Sequence, residues 1–215
     1  MRRLLISLVV ILGLLVVADR VARAAADRAV AQRIQHDQGL SQRPDVSIDG
    51  FPFLTQALAG RYDHVTLTMH DLHNGPVPVQ TLRVVLRGVH VPLSAVFSGH
   101  VSSVPIDRAT ATVLVRYADL GANVGGNHLT VSEGTNGEVK VTGTVSALGQ
   151  TVTASGEGRL DVRGNDVVVT VGHGLDFTVP LSGLPFRIVL VGAKATKSGI
   201  EVSATANGLV VHPRG

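Results

Sequence analysis

Nine histidines stand in this chain, and the densest group able to do chemistry is His70-Asp71-Leu72-His73, with His64 on the same polar strand face as His70. A metal held by strands takes ligands at i and i+2 or from neighbouring strands, and a second hydrogen bond fixes each imidazole tautomer. His-x-x-His at a strand end lacks that geometry. These imidazoles therefore read as solvated or hydrogen-bonded groups, and no metal is expected. Hydrolysis of a glycosidic bond needs paired carboxylates. The carboxylates on offer, Asp107, Asp119, Glu133, Glu157, Asp161 and Asp176, mostly fall at strand ends and turns, where acidic residues ordinarily serve the backbone. The loop Gly121-Ala122-Asn123-Val124-Gly125-Gly126-Asn127 has no Lys-Ser/Thr ending and no strand-to-helix setting, so it is not a phosphate cradle. Neither Gly-x-Ser-x-Gly nor Ser-x-x-Lys occurs. No cysteine is present, which removes disulfides, thiolate catalysis and zinc ribbons together. The expectation is a protein that is not an enzyme and carries no cofactor.

The elements that would position these residues are bounded by composition. At ~150 residues per domain, 215 residues allow one large domain and a short extra segment. A content of 45% hydrophobic and 16% charged residues supplies a core. Five Phe, two Tyr and no Trp leave few platforms for stacking bases. Residues 1–43 carry seven Arg against three Asp, while residues 44–215 carry 12 basic and 13 acidic residues. The basic excess is all N-terminal, and the near-neutral body has no footprint for nucleic acid.

After Met1, Arg2 and Arg3 comes an uncharged run, Leu4 to Ala18. As a helix it spans ~22 Å, short of the ~30 Å hydrocarbon core but in the range of an export segment. Residues 1–18 thus read as a signal peptide or a membrane anchor, with Arg2 and Arg3 on the cytoplasmic side and the rest outside. Ala22-Arg23-Ala24 and Ala24-Ala25-Ala26 are small-x-small triplets that could precede cleavage, but Asp19, Arg20 and Arg23 intervene. Residues 19–43 hold no Gly or Pro before Gly39, which with Pro44 ends a helix. Its apolar positions, Val21, Val30 and Ile34, are sparse, so it reads as a stalk or a loosely laid sheet-covering helix. Arg20, Arg23 and Arg28 could meet anionic headgroups or simply solvate one face.

From residue 62 the dominant period is two. Val65, Leu67 and Met69 alternate with His64, Thr66, Thr68 and His70, and Ala109, Ala111, Val113 and Val115 alternate with Thr110, Thr112 and Arg116. Runs at 81–87, 139–146, 152–156 and 167–171 follow suit, and a last hairpin joins Phe186–Thr196 to Ile200–Val211. Turns at Thr135-Asn136-Gly137, Gly164-Asn165-Asp166 and Lys197-Ser198-Gly199 favour hairpins. The reading is eight to ten antiparallel strands with short helices at Phe53–Ala59, Leu93–Phe97 and Tyr117–Leu120.

One long sheet with so few helices must curl or bind something, so residues 44–215 are expected to form a curved sheet with an apolar trough. The small residues Ala109, Ala111, Gly143, Ala154, Gly156 and Gly192 either favour curvature and open volume or permit close packing of the 19–43 helix.

The segment Pro44 to Tyr62, with Gly50-Phe51-Pro52-Phe53-Leu54-Thr55-Gln56 at its centre and Gly60-Arg61 near its end, resembles the opening signature of the actinobacterial LmeA-like phospholipid-binding family of the cell envelope. Looser likenesses run through Leu86–Leu93, Val104–Val113, Val141–Val145 and Leu184-Pro185-Phe186. The resemblance implies an α+β, mainly β fold in which a curved antiparallel sheet wraps a helix, as a half-barrel similar to tubular lipid-binding folds. It implies a protein that binds phospholipid, phosphatidylinositol-type lipids included, and supports lipid-linked mannan (lipomannan) assembly. It brings no catalytic residues.

Phe51, Phe53, Leu54 and Leu58 make one apolar stripe and Leu93, Val96 and Phe97 another; with Phe186 they are the candidate acyl-chain contacts, or else plain core. Arg61 and Arg108 are the candidate headgroup residues. The expected partners are phospholipid, the plasma membrane through the N-terminal segment, and envelope glycan-assembly enzymes. The competing reading is a non-catalytic, membrane-anchored structural adaptor for an envelope biosynthetic enzyme, docking through an edge strand.

Overall fold

The computed structural model describes residues 2–72, 78–98, 101–121, 129–147, 150–164, 166–172, 175–180 and 189–212. α1 runs from Arg2 to Gln38, passing through Gly13, and Gly39 ends it with a φ of 60°. There follow β1 (Asp45–Asp49), α2 (Phe53–Ala59), β2 (Arg61–Leu72), β3 (Val79–His90), α3 (Leu93–Ser98), β4 (Val104–Val115) and α4 (Tyr117–Gly121). Then come β5 (Leu129–Glu133), β6 (Val139–Ala147), β7 (Gln150–Arg163), β8 (Asp166–Val171), β9 (Leu175–Pro180), β10 (Val189–Thr196) and β11 (Gly199–Val211). The fold is mainly β and antiparallel with a long apolar N-terminal helix, as the sequence leads one to expect. The strands divide into two open sheets rather than forming one, ordered β1-β2-β3-β4-β11-β10 and β5-β6-β7-β8-β9. Period-two patterning says which residues share a face but not which strands pair, so the division is invisible to it.

Two compact units result, the first comprising Met1–Thr68, Val84–Ala109 and Asn207–Gly215 and the second Met69–Arg83 and Thr110–Ala206. In the first, Ile48, Phe53, Ala57, Val65, Val89 and Ile106 form the core, and Ile48 faces Val65 across the β1–β2 register. Each large side chain buried there stabilises by about 1.5–3 kcal/mol. The second half of α1 packs against β1 and α2. Its packing face is not Val21, Val30 and Ile34: Val21 is exposed, and Ala22 and Ala26 meet the core while Ala31 is buried. Asp19, Arg23 and Asp27 recur on that same face at the helical spacing of four. Asp27 Oδ1 accepts the N–H of Ile48 at 2.8 Å, and Arg23 donates to Asp49 Oδ1 at 2.6 Å and Ser47 Oγ at 2.9 Å. Since β1 is an edge strand, these contacts satisfy backbone and side chains that would otherwise invite another chain. Arg23 is thereby committed to the fold, not to lipid headgroups.

In the second unit the β5–β9 meander is in register throughout, and the β5–β6 turn places Asn136 and Gly137 at φ 52° and 80° as its sequence demands. Val113, Val115, Val139 and Val167–Val169 are buried. Of the small residues, Gly156 and Gly158 are notches filled by valines: a Cβ there would meet Val171 Cγ1 at 2.6 Å and Val169 Cγ1 at 2.8 Å. Gly192 sits at a register shift in β10 with open space about it. Gly156 therefore serves close packing of strand side chains and Gly192 a bulge. Tyr117 donates its hydroxyl to Thr196 O at 2.7 Å, and burial together with Glu133 raises its pKa above the ordinary 10.0 despite that bond.

Candidate functional site

The segment linking β1 to β2 is built by a few residues with separable tasks. Gly50 has a φ of 118°, and a Cβ there would land on the Gln56 amide. That amide ties both strands to the turn, with Nε2 reaching Asp49 O at 3.5 Å and Oε1 accepting the Asp63 N–H at 2.9 Å. Pro52 occupies the N-cap of α2 and offers no side-chain acceptor. The acceptor comes from α1, where Asp19 Oδ1 takes the N–H of Leu54 at 2.8 Å. Asp19 is only 2% exposed, and its second oxygen has no hydrogen-bond partner among the described residues. At the other end Gly60 closes α2 in the left-handed conformation, and its carbonyl accepts the Val91 N–H at 2.9 Å.

This frame splits the first apolar stripe into two faces. Phe53 and Ala57, four residues apart, point into the core, where the Phe53 and Tyr62 rings lie 6.1 Å apart. Burial raises the Tyr62 pKa above 10.0. Leu54 and Leu58, each one residue on and so rotated by about 100°, are 36% and 75% exposed. Phe51 is 57% exposed, with the Arg20 guanidinium carbon 4.9 Å from its ring centroid. Phe51, Leu54 and Leu58 make an exposed apolar ridge beside the point where the apolar run of α1 ends. In the second stripe Leu93 packs against the core of the same unit. Val96 and Phe97 lie in α3, though their side chains are outside the described residues, as is Phe186 entirely.

The two candidate headgroup arginines have separate partners. Arg61 Nη2 donates to Asp107 Oδ2 at 3.3 Å, and His90 Nε2 lies 3.2 Å from Asp107 Oδ1. Arg108 Nε donates to Asn207 Oδ1 at 3.0 Å. An ion pair as exposed as Arg61–Asp107 is worth about 0–1 kcal/mol, so Arg61 can exchange its partner for a phosphate at little cost. Of the other carboxylates weighed for catalysis, Asp119 accepts from Arg116 at 2.9 Å and Glu157 from Thr135 at 2.7 Å. Of the histidines, His70 Nδ1 lies 3.5 Å from Thr81 Oγ1, and His73 falls outside the described residues.

A protein-family model described as LmeA-like phospholipid-binding matches residues 17–205. The chain belongs to the LmeA-like phospholipid-binding family. No curated protein and no solved structure matches it. The LmeA-like match opens at the end of the apolar run, so it takes in the packing half of α1 with Asp19, Arg23 and Asp27 as well as the Gly50–Arg61 segment. Asp19 and Gln56 were missed in the sequence reading. For Asp19 the available signal was a charge directly after the apolar run, and for Gln56 a polar residue on an otherwise apolar seven-residue helix.

Proposed function

We propose that this LmeA-like protein is an exported phospholipid-binding protein of the cell envelope, held at the outer face of the plasma membrane by Leu4–Ala18, that shelters acyl chains in an apolar groove and catalyses no covalent step. The family match carries the reading. The exposed ridge Phe51, Leu54 and Leu58 supports it as apolar surface left for lipid, and each methylene buried there contributes about 0.8 kcal/mol. Arg61 is the phosphate contact, with Arg108 next in sequence to its partner Asp107 on β4. The lipid is of the phosphatidylinositol type, and the protein supports lipid-linked mannan (lipomannan) assembly. The N-terminal segment stays attached, because cleavage after Ala24 or Ala26 would remove Asp19, which caps α2, and Arg23, which pairs with Asp49.

Native mass spectrometry of the full chain, extracted from its own membranes in mild detergent, tests this reading. The expected result is an intact mass that includes the uncleaved N-terminus and an adduct that dissociates as phospholipid. A chain that carries no lipid and takes none up from added phosphatidylinositol would refute acyl binding and favour the adaptor reading.

A further inference from the structure

Two charged residues end the apolar run of α1, and the Phe51–Leu54 segment that opens α2 takes up both. Asp19 is buried and caps α2 through the Leu54 N–H, while Arg20 lies over the Phe51 ring. The hydrogen bond is 2.8 Å long, so the first turn of α2 stands within one side-chain length of residue 19. The α2 ridge is thus set at the level where the apolar run stops. That run spans ~22 Å as a helix against a hydrocarbon core of ~30 Å, leaving ~8 Å to be made up at its ends. Val21, Phe51, Leu54 and Leu58, all exposed, supply apolar surface at that end. An amphipathic surface lying in the interface sinks about 5–10 Å into the headgroup–acyl boundary, which matches the deficit.

We propose that Phe51, Leu54 and Leu58 form a membrane foot, seated in the rim of the same bilayer that Leu4–Ala18 crosses, with Asp19 fixing its angle to α1. The occupant of this face is the bilayer itself, by continuity with the apolar surface of α1. Seated this way, α2 screens Asp19 from lipid and leaves the Arg20 charge at headgroup level, where a cation over an aromatic face is well placed. The foot rests on the anchor reading above but needs no groove for a single lipid.

The chain has no cysteine, so single-cysteine variants of the full-length protein carry one label each. Leu12→Cys, Leu58→Cys and Gln32→Cys, bearing a nitrobenzoxadiazole dye, are reconstituted into phosphatidylcholine–phosphatidylglycerol vesicles that contain doxyl-labelled lipid. Leu12 reports the anchor and Leu58 the foot; Gln32 is exposed and lies ~20 Å beyond Asp19 along α1. The expected result is quenching at Leu58 about threefold or more above that at Gln32, strongest when the doxyl group lies near the headgroup. Asp19→Ala should bring Leu58 quenching down towards the Gln32 level, whereas Asp19→Asn, which keeps the acceptor, should preserve it. Quenching at Leu12 with Leu58 no different from Gln32 overturns the foot and leaves the anchor standing; no quenching at either overturns both. Equimolar doxyl lipid added in detergent micelles should leave the Leu58 probe bright. Quenching there would assign the ridge to one bound lipid molecule and overturn the proposal, and Leu54→Cys gives a second reporter on the same face.

Discussion

Cutting Phe53 back to alanine should destabilise the first unit by about 3–5 kcal/mol, whereas the same cut at Leu58, on the same short helix, should change stability by about 0.5 kcal/mol or less. Phe53 is surrounded by Ile48, Ala57, Val65, Val89 and Ile106, so its removal loses the transfer energy of the ring and opens a void. Both ends of α2 are pinned, by Asp19 and by the Gly60–Val91 hydrogen bond, so the helix is poorly able to sink into that void. This favours the upper half of the range. For a chain of this length, 1 kcal/mol corresponds to about 2–4 °C in Tm, which puts the Phe53→Ala drop at about 8–20 °C and the Leu58→Ala change within about 2 °C. Thermal unfolding of the detergent-solubilised chain, followed by circular dichroism, reads both. A second signal comes from Tyr62, whose phenol pKa is raised by burial. In a Tyr117→Phe background, ultraviolet titration should show it falling back towards 10.0 when Phe53 is removed. Equal Tm changes in the two variants, or a Phe53→Ala drop no larger than that of a surface substitution, would refute the division of the helix into a core face and an exposed face.

Alkali should weaken the fold through its two tyrosines. Tyr62 and Tyr117 both have pKa values raised in the folded state, so above pH 10 the unfolded chain releases its phenol protons first; stability is level below that pH and falls as pH rises through the folded values. Tyr62→Phe should flatten part of that decline in denaturant midpoints measured from pH 9 upward, and an unchanged slope would contradict the assignment. Asp27→Ala should cost about 1–3 kcal/mol by leaving the Ile48 N–H without its acceptor, and amide exchange at Ile48 should quicken selectively while Asp27→Asn restores part of the protection.

The local elements were legible because local rules govern them. The helix at Phe53–Ala59 falls where its i, i+4 apolar pairs and the flanking Pro52 and Gly60 require, and Leu93 and Tyr117 open the other two short helices as expected. Alternation in 109–115 led to the buried Ala111, Val113 and Val115. The strand count reached eleven among the described residues, against the eight to ten read from periodicity, because β1 is too short for alternation to stand out. Long-range partners were not legible. Asp19 meets Leu54 across 35 positions, and the pairing of β11 with β4 depends on the global fold. Which residues of α1 make its apolar contacts was not legible, because Ala22, Ala26 and Ala31 look featureless in a hydropathy reading yet allow a close approach of helix to strand. In the ridge, composition identified the apolar residues, but only the helix rotation set by Phe53 and Ala57 separates those facing inward from those facing outward.

The borrowed cap of α2 has a consequence for the order of assembly. A helix of seven residues is barely stable alone in water, and this one begins at a proline that cannot supply its own acceptor. It gains that acceptor only when Asp19, translated 35 residues earlier, is already in place. The greasy stretch from Phe51 to Leu58 therefore coils only after α1 has formed and brought Asp19 beside it. Formation of this corner is thus ordered by the chain itself, the long helix first and the short one after it, and a variant unable to place Asp19 would leave its stickiest segment uncoiled.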